Sequence, residues 1–417
     1  SRHAALRSTF SKDGMHFFIA PEVHIDVPLI DLSNEKSTAI DIRLQQLLDD
    51  EAEHDFDLAN GPLGKITLVK VAAVRYQLIL TFHHIVCDGW SLGIIMQDLS
   101  KMYSALVSGK PYDAPPAISY ADYSADEEKF LKSTASSEIE DYWVKQYRNQ
   151  LPTFELPLNR KRPPLRTYNA SRIDLEVNPQ VISTLKKTGA RHGVSFVATL
   201  VAAFEVFMFR ITGSSDIVVG LAAAGQASDG NDSLVGHCVN LLPLRSNIDG
   251  RISFEEYLKI RKPLILDAYD HQRYTFGSLI RKLNIPRDPS RIPLVPVSFN
   301  VDLGITNGVH FEGCTYHFTT NPRHYENFEI FINAAGSGNE MTLECTYNTD
   351  LFSEEMMDLR IREFSKLLSS LSENPAQQLN STDMLLPEVK KQLFTDWVGE
   401  EIPLTEGQCL HHLFEMK

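Results

Sequence analysis

Two adjacent histidines, followed closely by an aspartate and a glycine, are the residues with the clearest chemical potential in this sequence. They are His83, His84, Asp88 and Gly89, in the stretch FHHIVCDGWS at residues 82–91. Near pH 7 a neutral imidazole can accept a proton from a nucleophile or align it by a hydrogen bond. The aspartate can accept main-chain N–H bonds or pair with an arginine, and the glycine permits a positive φ or a close backbone approach. The stretch is therefore a candidate for acid–base chemistry.

Two other interpretations compete with the catalytic one. A metal site is disfavoured, because adjacent strand residues point to opposite faces and no third or fourth ligand follows at a recognised spacing. Two structural histidines are the second alternative, although the same alternation would let one imidazole pack inward while the other faces a cleft. The spacing alone leaves the structural and the catalytic interpretations open, and it predicts neither a metal nor a cofactor of the chain's own.

A strand and a helix are predicted on the two sides of this stretch. YQLILTF, residues 76–82, is rich in branched and aromatic residues and predicts a buried strand. SLGIIMQDLSKMYSALVSG, which follows the motif, has its apolar residues on one helical face and ends at Gly109. The motif thus lies at a strand-to-helix turn, where open α/β sheets expose functional groups.

Strands and helices alternate along the rest of the chain, which predicts an α/β fold with two subdomains. The 417 residues exceed what one ordinary hydrophobic core accommodates. The proline-rich, charged segment LPLNRKRPPLRTYNAS, residues 156–171, is the best candidate boundary. The predicted divisions of the chain are residues 1–158, 159–395 and 396–417.

Composition limits the classes of partner and compartment. The net charge of −14 argues against nucleic acid or an anionic membrane as the main partner, because both favour a basic face. The five cysteines show no CxxC spacing, as expected for free thiols in a reducing compartment. The opening SRHAALRSTF has no apolar signal-peptide core, and the longest apolar stretch, residues 194–209, is too short to span a bilayer. A cytoplasmic location is predicted.

The motif and several further blocks resemble the condensation domains of nonribosomal peptide synthetases. HHxxxDG is the hallmark of that family, although several acyltransferase families share HHxxxD, and here it is formed by His83, His84, Asp88 and Gly89. The other blocks follow in family order over nearly the whole chain. They are RHAALRSTF (2–10), YADY (120–123), VGHCVNLLPLR (235–245), the looser HQRYTFG (271–277) and RDPSRIPLVPVSFN (287–300).

The resemblance implies two chloramphenicol-acetyltransferase-like subdomains arranged as a V, with the motif in a tunnel at their interface. Donor and acceptor carrier proteins would deliver acyl groups as thioesters on 4'-phosphopantetheine arms, and the reaction would form an amide. In the family, a further segment usually precedes the block that RHAALRSTF resembles. This sequence starts at that block, so the subdomain 1–158 is expected to lack the usual first segment. CLHHLFEMK (409–417) resembles the opening of an adenylation domain, which would be a neighbour in the same chain.

The resemblance also implies roles for individual residues. His84 would position the acceptor amine or remove its proton, and His83 would be structural. Asp88 would pair with Arg245 by family position, and the Gly89 N–H would contact a substrate carbonyl or a developing oxyanion. Three more residues are expected to line the substrate tunnel: Trp90, Ser91 and Asn300.

Related functions are separated by details of the same motif. Epimerisation domains usually read DGxSW, whereas this chain has DGWS, which favours condensation. A docking module for carrier proteins, without chemistry of its own, is the non-enzymatic alternative, and the intact His84 and Gly89 argue against it. The AAGQ and VGHCVNLLPLR segments resemble condensation domains that receive polyketide or fatty acyl donors in hybrid assembly lines.

Overall fold

The structure is a computed structural model, and it describes residues 2–152, 154–228, 230–399 and 414. Within them the chain folds into eleven strands in three sheets, flanked by ten α-helices. Most of the predicted segment 396–417, including the adenylation-like CLHHLFEMK and Cys409, lies outside the described residues. The other four cysteines are free thiols.

The N-terminal half is built on two small sheets. β1 and β2 form an antiparallel pair, and the second sheet has the order β3-β4-β5. Helix α1 packs its apolar residues against this second sheet. The strands and helices of this half are β1 (Ser8–Phe10), β2 (Phe17–Ile19), β3 (Leu29–Asp31), α1 (Ser37–Ala52), β4 (Gly64–Ala72), β5 (Arg75–Phe82), α2 (Gly89–Val107), α3 (Tyr120–Leu131) and α4 (Thr134–Tyr147).

The C-terminal half is built on one six-stranded sheet in the order β6-β11-β10-β9-β7-β8. The pairs β7–β9 and β9–β10 are parallel and the other pairs are antiparallel, so the sheet is mixed. Its strands and helices are β6 (Ala170–Val177), α5 (Pro179–Arg191), α6 (Phe196–Thr212), β7 (Asp216–Ala224), β8 (Val239–Asn247), α7 (Phe254–Asp270), α8 (Phe276–Leu283), β9 (Val297–Leu303), β10 (Ile330–Ser337), β11 (Glu340–Asn348), α9 (Glu354–Glu373) and α10 (Pro387–Lys391).

Helix α6 forms the centre of the larger core. The side chain of Ser195 caps its first turn, and Gly213 ends it with a φ of 70°, a left-handed conformation that glycine adopts without strain. The ring of Phe204 stacks on Phe299 of β9, with 4.8 Å between centroids, so the helix is fixed against the sheet. Because α6 is apolar nearly all round, it is buried along most of its length.

Among the described residues, no single helix is both long enough and apolar enough to cross a membrane. Helices α5 and α6 meet the length and composition criteria only as a pair, and the pair is bent by 104°.

One ion pair lies inside this apolar core. Glu205 of α6 is fully buried, and Arg261 of α7 donates to it through Nε at 2.8 Å and Nη2 at 2.6 Å. Tyr257 adds a hydroxyl hydrogen bond of 2.7 Å to the same carboxylate. Each charge depends on the other for solvation, since the surroundings are otherwise hydrophobic.

We expect Glu205→Ala to lower the free energy of unfolding by about 3–5 kcal/mol, because it leaves the Arg261 guanidinium buried without a counter-charge. Urea denaturation followed by circular dichroism measures the change. Arg251→Ala is the control, since Arg251 pairs with Asp249 on the surface, and its unfolding midpoint should stay near that of the parent chain. Equal losses in the two variants would contradict this account of the core.

Candidate active site

The HHxxxDG motif forms the turn between β5 and α2, so the strand-to-helix prediction is confirmed. Val86 and Cys87 are buried and anchor the turn. The ring of His83 folds back into the turn, where its Nδ1 accepts the main-chain N–H of Ile85 at 3.1 Å. Phe56 packs edge-on against the same ring, with 6.0 Å between centroids. The two histidines therefore lie in different environments.

His84 faces a large cleft of about 1890 Å³ that residues from both halves of the chain line. Its Nδ1 lies 3.1 Å from Nδ1 of His237, with the two rings nearly perpendicular at 75°. The His84 ring is exposed to the cleft but surrounded by its walls, and this desolvation lowers the pKa of His84 below the ordinary value of 6.5. The charge that His237 can carry lowers the pKa further. His84 is thus neutral at pH 7.

Asp88 is buried and joins the two halves of the molecule. Its carboxylate accepts the N–H and hydroxyl of Ser91, at 2.8 and 2.7 Å, and so caps helix α2. Across the interface it accepts the side-chain amide of Gln226, at 3.0 Å, and the main-chain N–H of Cys238, also at 3.0 Å. The negative charge is balanced by several neutral donors.

The predicted pairing of Asp88 with Arg245 is wrong. Arg245 forms a two-pronged ion pair with Asp216, at 2.7 and 2.9 Å, and it also donates to the main-chain carbonyls of Gln146 in α4 and of Gln150 after it. Val239, which starts β8, is next to the Asp88-bound segment, and Arg245 comes six positions later on the same strand. At about 3.3 Å per residue, the Cα atom of Arg245 lies about 20 Å along the strand from that of Val239.

Gly89 begins helix α2 and does not have a positive φ, so its conformation alone does not require glycine. A Cβ on Gly89 would lie 3.3 Å from Oδ1 of Asp302, a carboxylate at the end of β9 whose pKa burial raises above its ordinary value. Asp302 also lines the cleft, and the motif did not predict it.

The three residues assigned to the tunnel have different positions. Trp90 lines the cleft, and its indole N–H donates to the carbonyl of Asp232 at 3.0 Å. Asn300 also lines the cleft and donates to Asn333 at 3.0 Å. The prediction for Ser91 is wrong, because Ser91 is fully buried and its hydroxyl oxygen accepts the N–H of Gly236 at 3.0 Å.

Sequence reasoning missed three contacts of the site: His237, Gln226 and Cys238. Two of them stand in VGHCVNLLPLR, which resembles a family block, although the resemblance implies no role for either residue. Gln226 lies two positions after the end of β7 and ends the AAGQ segment. Only the assembled fold brings these residues to the motif, since more than 130 positions separate them from it.

Comparison with known proteins identifies the family. A family model for the condensation domain matches residues 1–394. The chain belongs to the condensation-domain family. One of the linear gramicidin synthase proteins of Brevibacillus parabrevis is 31% identical over 99% of this chain, a region that makes up 8% of that protein. Surfactin synthase subunit 1 of Bacillus subtilis (strain 168) is 28% identical over 99% of the chain and 11% of its own length. The chain thus spans only a small part of the length of these relatives.

Solved structures confirm the fold that the resemblance implied. The first condensation domain of the CDA synthetase gives a TM-score of 0.79 at 20% identity and covers 92% of this chain and 88% of its own. The starter condensation domain of rhizomide synthetase, solved in complex with C8-CoA, gives a TM-score of 0.78 at 21% identity and covers 92% of this chain and 86% of its own. A four-domain nonribosomal peptide synthetase gives a TM-score of 0.78 at 19% identity and covers 93% of this chain and 30% of its own. The condensation-domain fold has two acetyltransferase-like subdomains in a V, and the cleft lies between them.

Double-mutant cycles on the free energy of unfolding test the corrected partner of Arg245. Asp216→Ala and Arg245→Ala should be coupled by about 1 kcal/mol, because the two side chains contact each other directly. Asp88→Asn and Arg245→Ala should be additive to within about 0.5 kcal/mol, because they share no partner. Coupling in the second cycle and additivity in the first would restore the original pairing.

Proposed function

We propose that this chain joins a donor acyl or peptidyl group to an acceptor amino acid through an amide bond, with both substrates carried as thioesters by carrier proteins. The observation that carries the proposal is the position of His84, a neutral imidazole on the wall of a cleft of about 1890 Å³ shared by both halves. A cleft of that size accommodates two substrates at once, as the reaction requires. Family membership supports the class of reaction.

The proposed step needs little activation beyond alignment of the reactants. The amine nitrogen of the acceptor attacks the thioester carbonyl carbon, the carbon–sulfur bond breaks and the amide bond forms. Holding two tethered groups in attack geometry can supply roughly 7–11 kcal/mol of the barrier. The phosphopantetheine arms would come from the carrier proteins, and the chain would contribute no cofactor of its own.

His84 would handle the proton that the amine loses. Its lowered pKa keeps a lone pair available at neutral pH, so the ring can accept this proton and then deliver it to the sulfur of the departing arm. The Gly89 N–H, at the start of helix α2, would meet the carbonyl oxygen as it gains negative charge, which the positive end of the helix dipole favours. Asn300 and Trp90 would border the substrates.

The cleft wall favours an apolar donor. Small and aliphatic side chains line it on the side of β7 and β8, and they leave room for a hydrocarbon chain. They are Ala222, Ala224, Val239 and Leu241. We therefore propose a fatty acyl or polyketide donor, in keeping with the C8-CoA bound to the rhizomide synthetase relative.

Epimerisation is the rival activity on this fold, and a docking module is the non-enzymatic rival. Epimerisation would need a proton acceptor beside the α-carbon of a single substrate, and Asp302 is a carboxylate of the cleft that lies close to Gly89. Burial raises the pKa of Asp302, which weakens the case for a standing carboxylate base there. The DGWS order favours condensation.

Reconstitution with loaded carriers tests the proposal. The chain, with the flanking parts of any longer protein that carries it, is mixed with an octanoyl-loaded donor carrier and an aminoacyl-loaded acceptor carrier. Intact-protein mass spectrometry should find the octanoyl mass added to the acceptor arm. We expect His84→Ala to slow this transfer by about 10²–10⁴-fold, the usual contribution of general acid–base catalysis.

His24→Ala is the matched control, because His24 is a solvated histidine outside the cleft. It should transfer at the rate of the parent chain. Transfer that is equally fast in His84→Ala would exclude His84 as the base and leave alignment as the whole mechanism. Absence of transfer in the parent chain, with both carriers bound, would favour the docking module, and inversion of the acceptor's α-carbon would favour epimerisation.

A further inference from the structure

The contact between His84 and His237 constrains where the protons of the two rings can lie. Their Nδ1 atoms are 3.1 Å apart, a hydrogen-bond distance. A neutral imidazole has one N–H donor and one lone-pair acceptor, so a hydrogen bond between two such nitrogens requires a hydrogen on one of them and a lone pair on the other. Only two arrangements of the neutral pair satisfy this contact.

The two arrangements differ in what His84 offers to a substrate. If Nδ1 of His84 carries the hydrogen and donates to His237, its Nε2 carries the lone pair and can accept a proton. If His237 donates instead, Nε2 of His84 carries a hydrogen, and the ring has no free lone pair left for an amine. The pair thus links the tautomer of His237 to the basicity of His84.

We propose that His237 is a positioning residue whose Nδ1 accepts the Nδ1–H of His84 and so keeps the Nε2 lone pair available to the acceptor amine. This inference rests on the proposed function and gives it a second residue, one that the HHxxxDG motif does not contain. His237 itself need not touch the substrate. It acts through the ring of His84.

The main chain on both sides of His237 is held firmly. The N–H of Cys238 donates to Asp88 at 3.0 Å, and the N–H of Gly236 donates to the Ser91 hydroxyl at 3.0 Å. A Cβ on Gly236 would lie 2.3 Å from a ring carbon of Tyr120, so glycine is needed for the segment to approach this closely. The imidazole of His237 is exposed, yet its backbone cannot drift away from His84.

The charged groups near His84 favour the uptake of only one additional proton by the neutral pair. Asp88 raises the pKa of His84, whereas Arg323 and a charged His237 lower it, and all of them act more weakly than desolvation. Once His84 has accepted the amine proton through Nε2, its Nδ1–H still donates to the neutral His237, which stabilises the imidazolium. The proton then leaves with the thiol, and the pair returns to its starting state.

One competing acceptor for the same hydrogen is part of His84 itself. The main-chain carbonyl of His84 hydrogen-bonds to its own ring and raises the pKa of the ring. If this carbonyl alone fixed the tautomer, His237 would be dispensable. The experiment must therefore separate the two acceptors.

Nitrogen-15 NMR of histidine-labelled protein at pH 8 reads the tautomer directly, because protonated and lone-pair ring nitrogens have well-separated shifts. The His84 signals are assigned by their loss in His84→Gln. In the parent chain we expect the Nδ1–H form to dominate. In His237→Leu the acceptor is gone, and the signals should shift toward the Nε2–H form that free histidine favours in water. Octanoyl transfer should then fall about tenfold, the usual effect of losing a hydrogen bond that orients a functional histidine.

His237→Asn is the matched variant, because its Oδ1 occupies nearly the place of the histidine Nδ1 and can accept the same hydrogen. It should restore both the Nδ1–H tautomer and most of the rate, which a merely structural role would not predict. Thermal melting checks that both variants are folded. An unchanged tautomer in His237→Leu would overturn the proposal and assign the role to the His84 carbonyl. A parent chain with the expected tautomer but no transfer would instead overturn the proposed function.

Discussion

The candidate active site depends on one buried carboxylate. Asp88 ends the HHxxxDG turn, and its two oxygens accept hydrogen bonds from helix α2 on one side and from Gln226 and Cys238 on the other. An aspartate without such donors would be costly to bury. The motif is therefore stable only when the C-terminal half is docked against it, and the same contacts that satisfy the charge set the spacing of the cleft. The histidines are positioned by a group that does no chemistry.

Neutral donors suit this role better than an arginine would. A guanidinium next to His84 would add a fixed positive charge and would lower the pKa of the imidazole further. Amide and hydroxyl groups satisfy the carboxylate while leaving its negative charge to act on the cleft, where Asp88 raises the pKa of His84 against the larger effect of desolvation. Arg245 instead fixes the far end of β8 through Asp216. The contact that holds Asp88 and the ion pair of Arg245 thus lie near opposite ends of strand β8.

Local patterns predicted what local physics determines. The strand before the motif and the helix after it depend on neighbours within a few residues, and the structure has both. The partner of Asp88 and the buried position of Ser91 depend on how a segment 150 positions away crosses the interface. Periodicity and spacing carry no information about that crossing. Family position predicted Arg245 as the partner of Asp88, whereas the fold provides the side-chain amide of Gln226 and main-chain N–H groups as donors.

The arrangement also explains how the His84 imidazole can be exposed while the contacts that hold its backbone are buried. In the proposed reaction His84 would meet substrates in the cleft, so its ring would have to stay accessible, and an exposed ring is free to change tautomer and rotamer. The buried contacts of Asp88 hold the backbone of both histidine-bearing segments, Ser91 locks Gly236, and the His237 ring then limits the proton positions on His84. The buried Asp88 carboxylate thus fixes the backbone, and the backbone places the His237 ring that limits the tautomer of His84. A substitution in the buried layer should therefore alter chemistry in the cleft without touching a substrate.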